Sequence, residues 1–288
     1  MPVHETFRTG RERRLHGQCW SADHPKALVI LVHGLGDHSG RYESFATSLI
    51  SDTEIPLAVA AFDLPGHGKS AGKPGSAGWY FNLLHDIAVV RRDLGRTMPS
   101  IPQILMGHSM GGNLVANYAL RRRKIDLAVD EVTDPPAGLI LAAPMLQPPK
   151  PLPRPMVFAA WATGYLAPFI RFGSPVSVEH LTSDRVEQEH MLSDRNLHGR
   201  ISLHLATQLV SQGRWVLDRA RDIHCPVLMV RGALDPLIDN SAIENMVIRG
   251  GEHFQELSLE KSRHSMFHDV ERVEAIQSCA NWISNLTW

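Results

Sequence analysis

The chain has 288 residues, 43% of them hydrophobic and 20% charged, with a net charge of −1. That length suits one large α/β domain carrying an insertion, or two small domains. The near-neutral balance speaks against broad nucleic-acid binding, which needs a strong basic footprint.

Residues 3–20 alternate around Thr9-Gly10-Arg11 and read as a hairpin, with Phe7 and Leu15 pointing inward. Ala27 to Val32 is a run of six apolar residues, the pattern of a strand buried on both faces of a mostly parallel sheet. After His33-Gly34-Leu35-Gly36, the spacing of Tyr42, Phe45, Ala46, Leu49 and Ile50 predicts a helix. A second strand, Leu57 to Phe62, leads into the loop Asp63-Leu64-Pro65-Gly66-His67-Gly68-Lys69-Ser70. The next helix places Leu83, Ile87, Val90 and Leu94 on one face. Strand Ile104–Met106, a helix from about Gly112 and strand Gly138–Ala143 follow. The run Arg121-Arg122-Arg123-Lys124 reads as that helix's solvated end, where cations suit the dipole.

Strand then helix, repeated, predicts a sheet with helices on both faces. The rhythm breaks after Pro144 and resumes with Pro226–Val230, a helix near Ala242–Val247 and a strand near Phe254–Leu259. A last helix carries Val273, Ile276, Ala280 and Ile283. Residues 145–222 therefore read as a helical insertion across the carboxyl ends of the strands, where ligands bind in open α/β sheets. That leaves 1–144 and 223–288 as the core.

Gly107-His108-Ser109-Met110-Gly111 falls between a predicted strand and a predicted helix, the setting of a nucleophile elbow. A serine on so sharp a turn has a strained backbone, and side chains two residues to either side would collide with it. A serine hydroxyl attacks only when a base takes its proton and an acid orients that base. Asp235 sits just beyond the strand Pro226–Val230, with Asp239 as its competitor, and position alone only leans toward Asp235. His264 follows the final strand and is best placed to reach Ser109, with His268 and His253 as rivals. His264 and His268 also have the i, i+4 spacing of a metal-binding helix face, but no HExxH or carboxylate partner accompanies them, so no metal or other cofactor is expected. The N–H groups of Met110 and Leu35 are the expected donors of an oxyanion hole.

These segments together resemble the monoacylglycerol lipase and lysophospholipase branch of the α/β-hydrolase fold. The likeness rests on His33 to Tyr42 (HGLGDHSGRY), Phe62 to Ser70 (FDLPGHGKS), Gly107 to Gly112 (GHSMGG), Arg231 to Asp235 (RGALD) and Arg263 to His268 (RHSMFH). It implies Ser109 as nucleophile, His264 as base and Asp235 rather than Asp239 as acid, with Leu35 and Met110 forming the oxyanion hole. His38, Arg41 and Tyr42 match a family loop beside the site. The insertion resembles the family's lid only loosely.

Met156 to Ile170 is fifteen residues without a charge, flanked by Lys150, Arg154 and Arg171. Two readings stand: a segment touching an anionic lipid surface, or a lid helix packed on the body. Either favours an acyl chain as ligand, with Trp161 and Tyr165 as substrate contacts. The expected activity is hydrolysis of a single-acyl-chain lipid ester. The alternatives are a short-acyl carboxylesterase or thioesterase, and a non-catalytic binding protein of the same fold. Three cysteines, far apart and odd in number, suit a reducing compartment. No secretory signal and no apolar run of ~20 residues is visible. The expected location is therefore cytoplasmic, including the inner membrane surface.

Overall fold

The computed structural model describes residues 3–8, 14–128, 134–150, 155, 162–168, 170–173 and 176–287. Among them, eight strands form one sheet. In chain order these are β1 (Val3–Arg8), β2 (Arg14–Ser21), β3 (Ala27–Val32), β4 (Leu57–Phe62), β5 (Gln103–His108), β6 (Gly138–Ala142), and, beyond the insertion, Val227–Gly232 and Phe254–Leu259. The last two are β9 and β10, because the short strands β7 (Arg171–Gly173) and β8 (Arg200–Ser202) pair with each other in the insertion. The spatial order is β1-β2-β4-β3-β5-β6-β9-β10. From β4 to β10 every pairing is parallel, while β1 and β2 run antiparallel to their neighbours.

The apolar runs explain the middle of this sheet. Every residue from Ala27 to Val32 is fully buried, and Leu57 to Phe62 nearly so. Helices cover the two faces: α1 (Glu43–Asp52), α2 (Tyr80–Thr97) and α3 (Met110–Leu127). In α2 the predicted face of Leu83, Ile87, Val90 and Leu94 is completely buried. Burying each such side chain contributes about 1.5–3 kcal/mol. Alongside them lies Arg91, only 1% exposed, which donates to Gln103 Oε1, the Tyr118 hydroxyl and the Asp134 carbonyl.

Two helical expectations need correction. The run Arg121–Lys124 reaches the last turn of α3, with Arg123 and Lys124 exposed as expected, but the helix itself continues to Leu127. Arg121 is also not simply solvated: its guanidinium lies 3.3 Å from the Trp215 ring centroid and donates to Asn117 and Gln212. On the last helix, Val273 is 62% exposed, and the buried face runs through Ala275, Ile276, Cys279, Ala280 and Ile283.

Between β6 and β9 the described residues form a helical turn at 162–166, β7, α4 (Val178–Leu181), α5 (Arg185–Ser193), β8 and α6 (Leu203–Leu217). Helix α6 packs on α3, where Asn113 Nδ2 donates to the Leu209 carbonyl at 3.0 Å. Two further helices, α7 (Asn240–Gly250) and α8 (Arg272–Ser284), complete the chain. No described helix is long and apolar enough to cross a membrane.

Candidate active site

Because the central strands are parallel, the loops after β3, β4, β5, β9 and β10 all emerge at one rim of the sheet. Strand β5 ends at His108 and α3 begins at Met110, so Ser109 alone makes the turn. Its φ of 54° and ψ of −115° lie where L-residues rarely sit. The turn closes this tightly because a side chain at Gly107 would strike the Gly111 carbonyl, and one at Gly111 the carbonyls of Val32 and His33. The Ser109 backbone is fixed from both sides: its N–H donates to Ala142 O at 2.9 Å and its carbonyl accepts from Met145 at 3.0 Å.

Asp235 and His264, 29 positions apart, meet with Oδ2 2.6 Å from Nδ1. Both are buried, at 7% and 5% exposure, so water competes little with this charge-assisted hydrogen bond. The other carboxylate oxygen accepts the Leu237 N–H at 2.8 Å, which sets the plane of the acid. With the Nδ1 proton directed at Asp235, Nε2 is the nitrogen left to act as a base. The rivals have other work. Asp239 caps α7, accepting the N–H and hydroxyl of Ser241. His253 precedes β10, at the opposite end of that strand from His264. His268 packs its ring 5.6 Å from that of Tyr42.

His108 links the His264 loop to the Ser109 turn. Its Nε2 lies 2.9 Å from the His264 carbonyl, and the two rings are 5.0 Å apart. On the other side, Val32 pairs with Gly107, and a Cβ built on Gly34 would sit 3.3 Å from the Ser109 Cβ. The turn carrying Leu35, half-buried, and the helix start carrying Met110, buried, therefore stand together beside Ser109. The first N–H groups of a helix have no partner within it and carry a positive partial charge, which suits a developing oxyanion. Of the expected substrate contacts, Trp161 lies outside the described residues, as do 156–160 and 169 of the uncharged stretch. Tyr165 is exposed, its ring 5.9 Å from that of Trp79.

A network that sequence reasoning did not assemble lies under this rim. Asp37 accepts the Tyr42 hydroxyl at 3.0 Å, Arg41 at 3.2 Å and the His38 N–H at 2.8 Å. The Tyr42 hydroxyl also lies 3.2 Å from His108 Nδ1, so the chain of contacts reaches His264. Burial alone would raise the Asp37 carboxyl, yet Arg41 and the histidines around it hold it well below the carboxylate range. Burial lowers His108 to about 4, helped by His264, against the pull of Asp37. His38 Nε2 reaches out to Asp194, at the end of α5, at 2.8 Å. The matching of His38, Arg41 and Tyr42 to a family loop was the one available signal, and it named the residues without their partners.

A family profile described as serine aminopeptidase, S33, matches residues 23–271. The chain belongs to that family. The S33 chain is similar to the monoacylglycerol lipase of Mycolicibacterium smegmatis, with 26% identity over 272 residues that cover 92% of this chain and 90% of that one. It is also 26% identical over 264 residues to an uncharacterised abhydrolase domain-containing protein of Dictyostelium discoideum. That match covers 92% of this chain, which spans only 26% of the relative's length. Among solved structures, the monoacylglycerol lipase of Paleococcus ferrophilus superposes with a TM-score of 0.80 at 25% identity, covering 100% of both chains. The S33 chain thus has the α/β-hydrolase fold of a serine hydrolase, and the resemblance to the monoacylglycerol lipase branch is borne out.

Proposed function

We propose that the protein hydrolyses the carboxylic ester of a single-acyl-chain lipid, a monoacylglycerol or lysophospholipid, through an acyl-enzyme on Ser109. The observation that carries this reading is the buried 2.6 Å pair of Asp235 and His264, joined through His108 to the strained Ser109 turn. His264 Nε2 takes the Ser109 proton as Oγ attacks the ester carbonyl, while Asp235 keeps the ring oriented and stabilises the imidazolium. The N–H groups of Leu35 and Met110 receive the negative oxygen. The imidazolium then protonates the leaving alcohol, and a water activated by His264 releases the fatty acid.

Residues 145–222 form the lid in this reading. Its apolar surface supports a lipid substrate: Tyr165, Leu166, Ile170 and Phe172 are all exposed, with Arg171 among them. Such a patch suits docking on an anionic membrane surface, and Tyr165 and Trp161 suit contact with the acyl chain. Three free cysteines are in keeping with a cytoplasmic setting at the inner membrane face. The lipases among the relatives point to the same substrate class.

The test is a panel of monoacylglycerols, lysophospholipids and short p-nitrophenyl esters, run on the native protein and Ser109→Ala. Activity should rise with acyl length, since each buried methylene contributes about 0.8 kcal/mol, and should fall by at least ~10³-fold in the variant. A kcat/KM that peaks at two to four carbons would discard the lipid substrate, and full activity in Ser109→Ala would discard the mechanism.

A further inference from the structure

The loop that carries His264 is shaped by a short piece of the insertion, and one buried carboxylate joins them. Asp269 is completely buried. Its Oδ2 accepts the N–H of Arg263 at 2.7 Å, the residue directly before His264. Its Oδ1 accepts the N–H of Ser183 at 2.8 Å, the N–H of Val270 at 2.8 Å and the Thr182 hydroxyl at 3.1 Å. Thr182, also fully buried, reaches the His268 carbonyl with the same hydroxyl at 2.8 Å. Around this centre, Ser265 N donates to the Leu181 carbonyl at 2.8 Å, Arg263 donates to the Glu179 carbonyl, and Arg272 pairs with Asp184 at 2.7 Å.

A helix cap does not account for this pattern. Only the Val270 contact is local, whereas the others join chain segments more than 80 positions apart or fix the backbone just ahead of His264. Both carboxylate oxygens receive backbone N–H groups. An asparagine there would turn hydrogens of its own toward one of those donors, leaving that donor unpaired. A carboxylate is the group the geometry requires.

We propose that Asp269, together with Thr182, is a positioning residue for His264, and that residues 179–184, although within the 145–222 lid, are a fixed strut for the base rather than one of its moving parts. The inference rests on the assignment of His264 as the base. Asp235 orients the imidazole about its Nδ1, but the ring's distance from Ser109 depends on the backbone of 263–265. That backbone is held by the Asp269 carboxylate below and by Leu181 alongside. Near-attack geometry tolerates little displacement, so slack in this loop reaches turnover directly.

The experiment compares Thr182→Val, Thr182→Ser, Asp269→Asn and His264→Ala, well below their melting temperatures. Active sites are counted by end-point titration with a fluorophosphonate, and turnover is expressed per titrated site on one soluble monoacyl ester. Thr182→Val keeps shape and volume while removing the hydroxyl, so it tests the contact even where Asp269→Asn fails to fold. Positioning predicts a tenfold or greater loss of kcat per site in Thr182→Val, a larger loss in Asp269→Asn, little change in KM, and recovery in Thr182→Ser. A purely structural role predicts fewer titratable sites with native turnover at each, and that result overturns the proposal. If His264→Ala stays active, the catalytic reading itself falls. If His264→Ala is inactive while Thr182→Val turns over normally, only the strut is wrong.

Discussion

The carbonyl oxygen of His264 faces Nε2 of His108 at 2.9 Å, so the residue before the candidate nucleophile holds the backbone of the candidate base. His108 is in turn within 3.2 Å of the Tyr42 hydroxyl. Removing that hydroxyl by Tyr42→Phe leaves the buried Asp37 with one acceptor site empty and Nδ1 of His108 without its partner. The expected cost is about 1–3 kcal/mol of stability, together with a roughly tenfold loss of kcat. Urea unfolding and steady-state kinetics on the same preparation check both.

Asp235 and Asp239 separate function from stability within four residues. Asp235→Asn should lower kcat by about 10³–10⁴-fold, because the amide favours the wrong imidazole tautomer, while secondary structure stays intact. Asp239→Ala removes the cap of α7 and should cost about 1 kcal/mol with activity unchanged. Equal activity loss in both variants would contradict the assignment.

Acid should destabilise the fold through two buried histidines. Burial lowers His108 to about 4 and His268 to about 3, the latter also repelled by Arg41, His108 and Arg272. Unfolded histidine titrates near 6.5. As pH falls from about 6.5 toward 4, the unfolded chain takes up protons that the native protein refuses, so stability drops. Above about 6.5 both states are neutral and these groups contribute no slope. Melting temperatures between pH 7.5 and 4.5 should show the decline, and His268→Phe, which keeps a ring against Tyr42, should flatten it.

Gly107→Ala should prevent folding or cost several kcal/mol, because the added methyl meets the backbone of Gly111 and Gly112 rather than a movable side chain. Gly173→Ala, in the exposed strand β7, where the nearest atom would lie 3.9 Å away, is the matched control and should leave the melting temperature within a degree or two.

What could be read in advance followed the strength of the pattern. Ala27–Val32 and Leu57–Phe62 announce themselves because a strand buried on both faces cannot alternate, and Phe254–Leu259 has the predicted bounds. The elbow was legible because its glycines are forced by backbone collisions that no other residue survives. Asp235 was not separable from Asp239 by position, since both stand in one loop and only the fold turns one toward His264. Nothing in the sequence announces the pair β7 and β8, because three-residue strands carry too little periodicity to register. A charged run reads as a solvated helix end, which holds for Arg123 and Lys124 but fails at Arg121, because Trp215 takes up its guanidinium. Asp269 gave no signal at all: its donors come from distant parts of the chain.

The turn that carries Leu35 is walled by the insertion as well as by the sheet. His198 donates its N–H to the Gly36 carbonyl at 3.1 Å, and its ring meets the Gly66 carbonyl at 3.0 Å. Exchanging this insertion for that of another hydrolase would therefore disturb the backbone of the Leu35 turn and of the loop around Gly66. Chimeras made to redirect selectivity should come out slow as well as altered, unless the 194–198 stretch travels unchanged with the host.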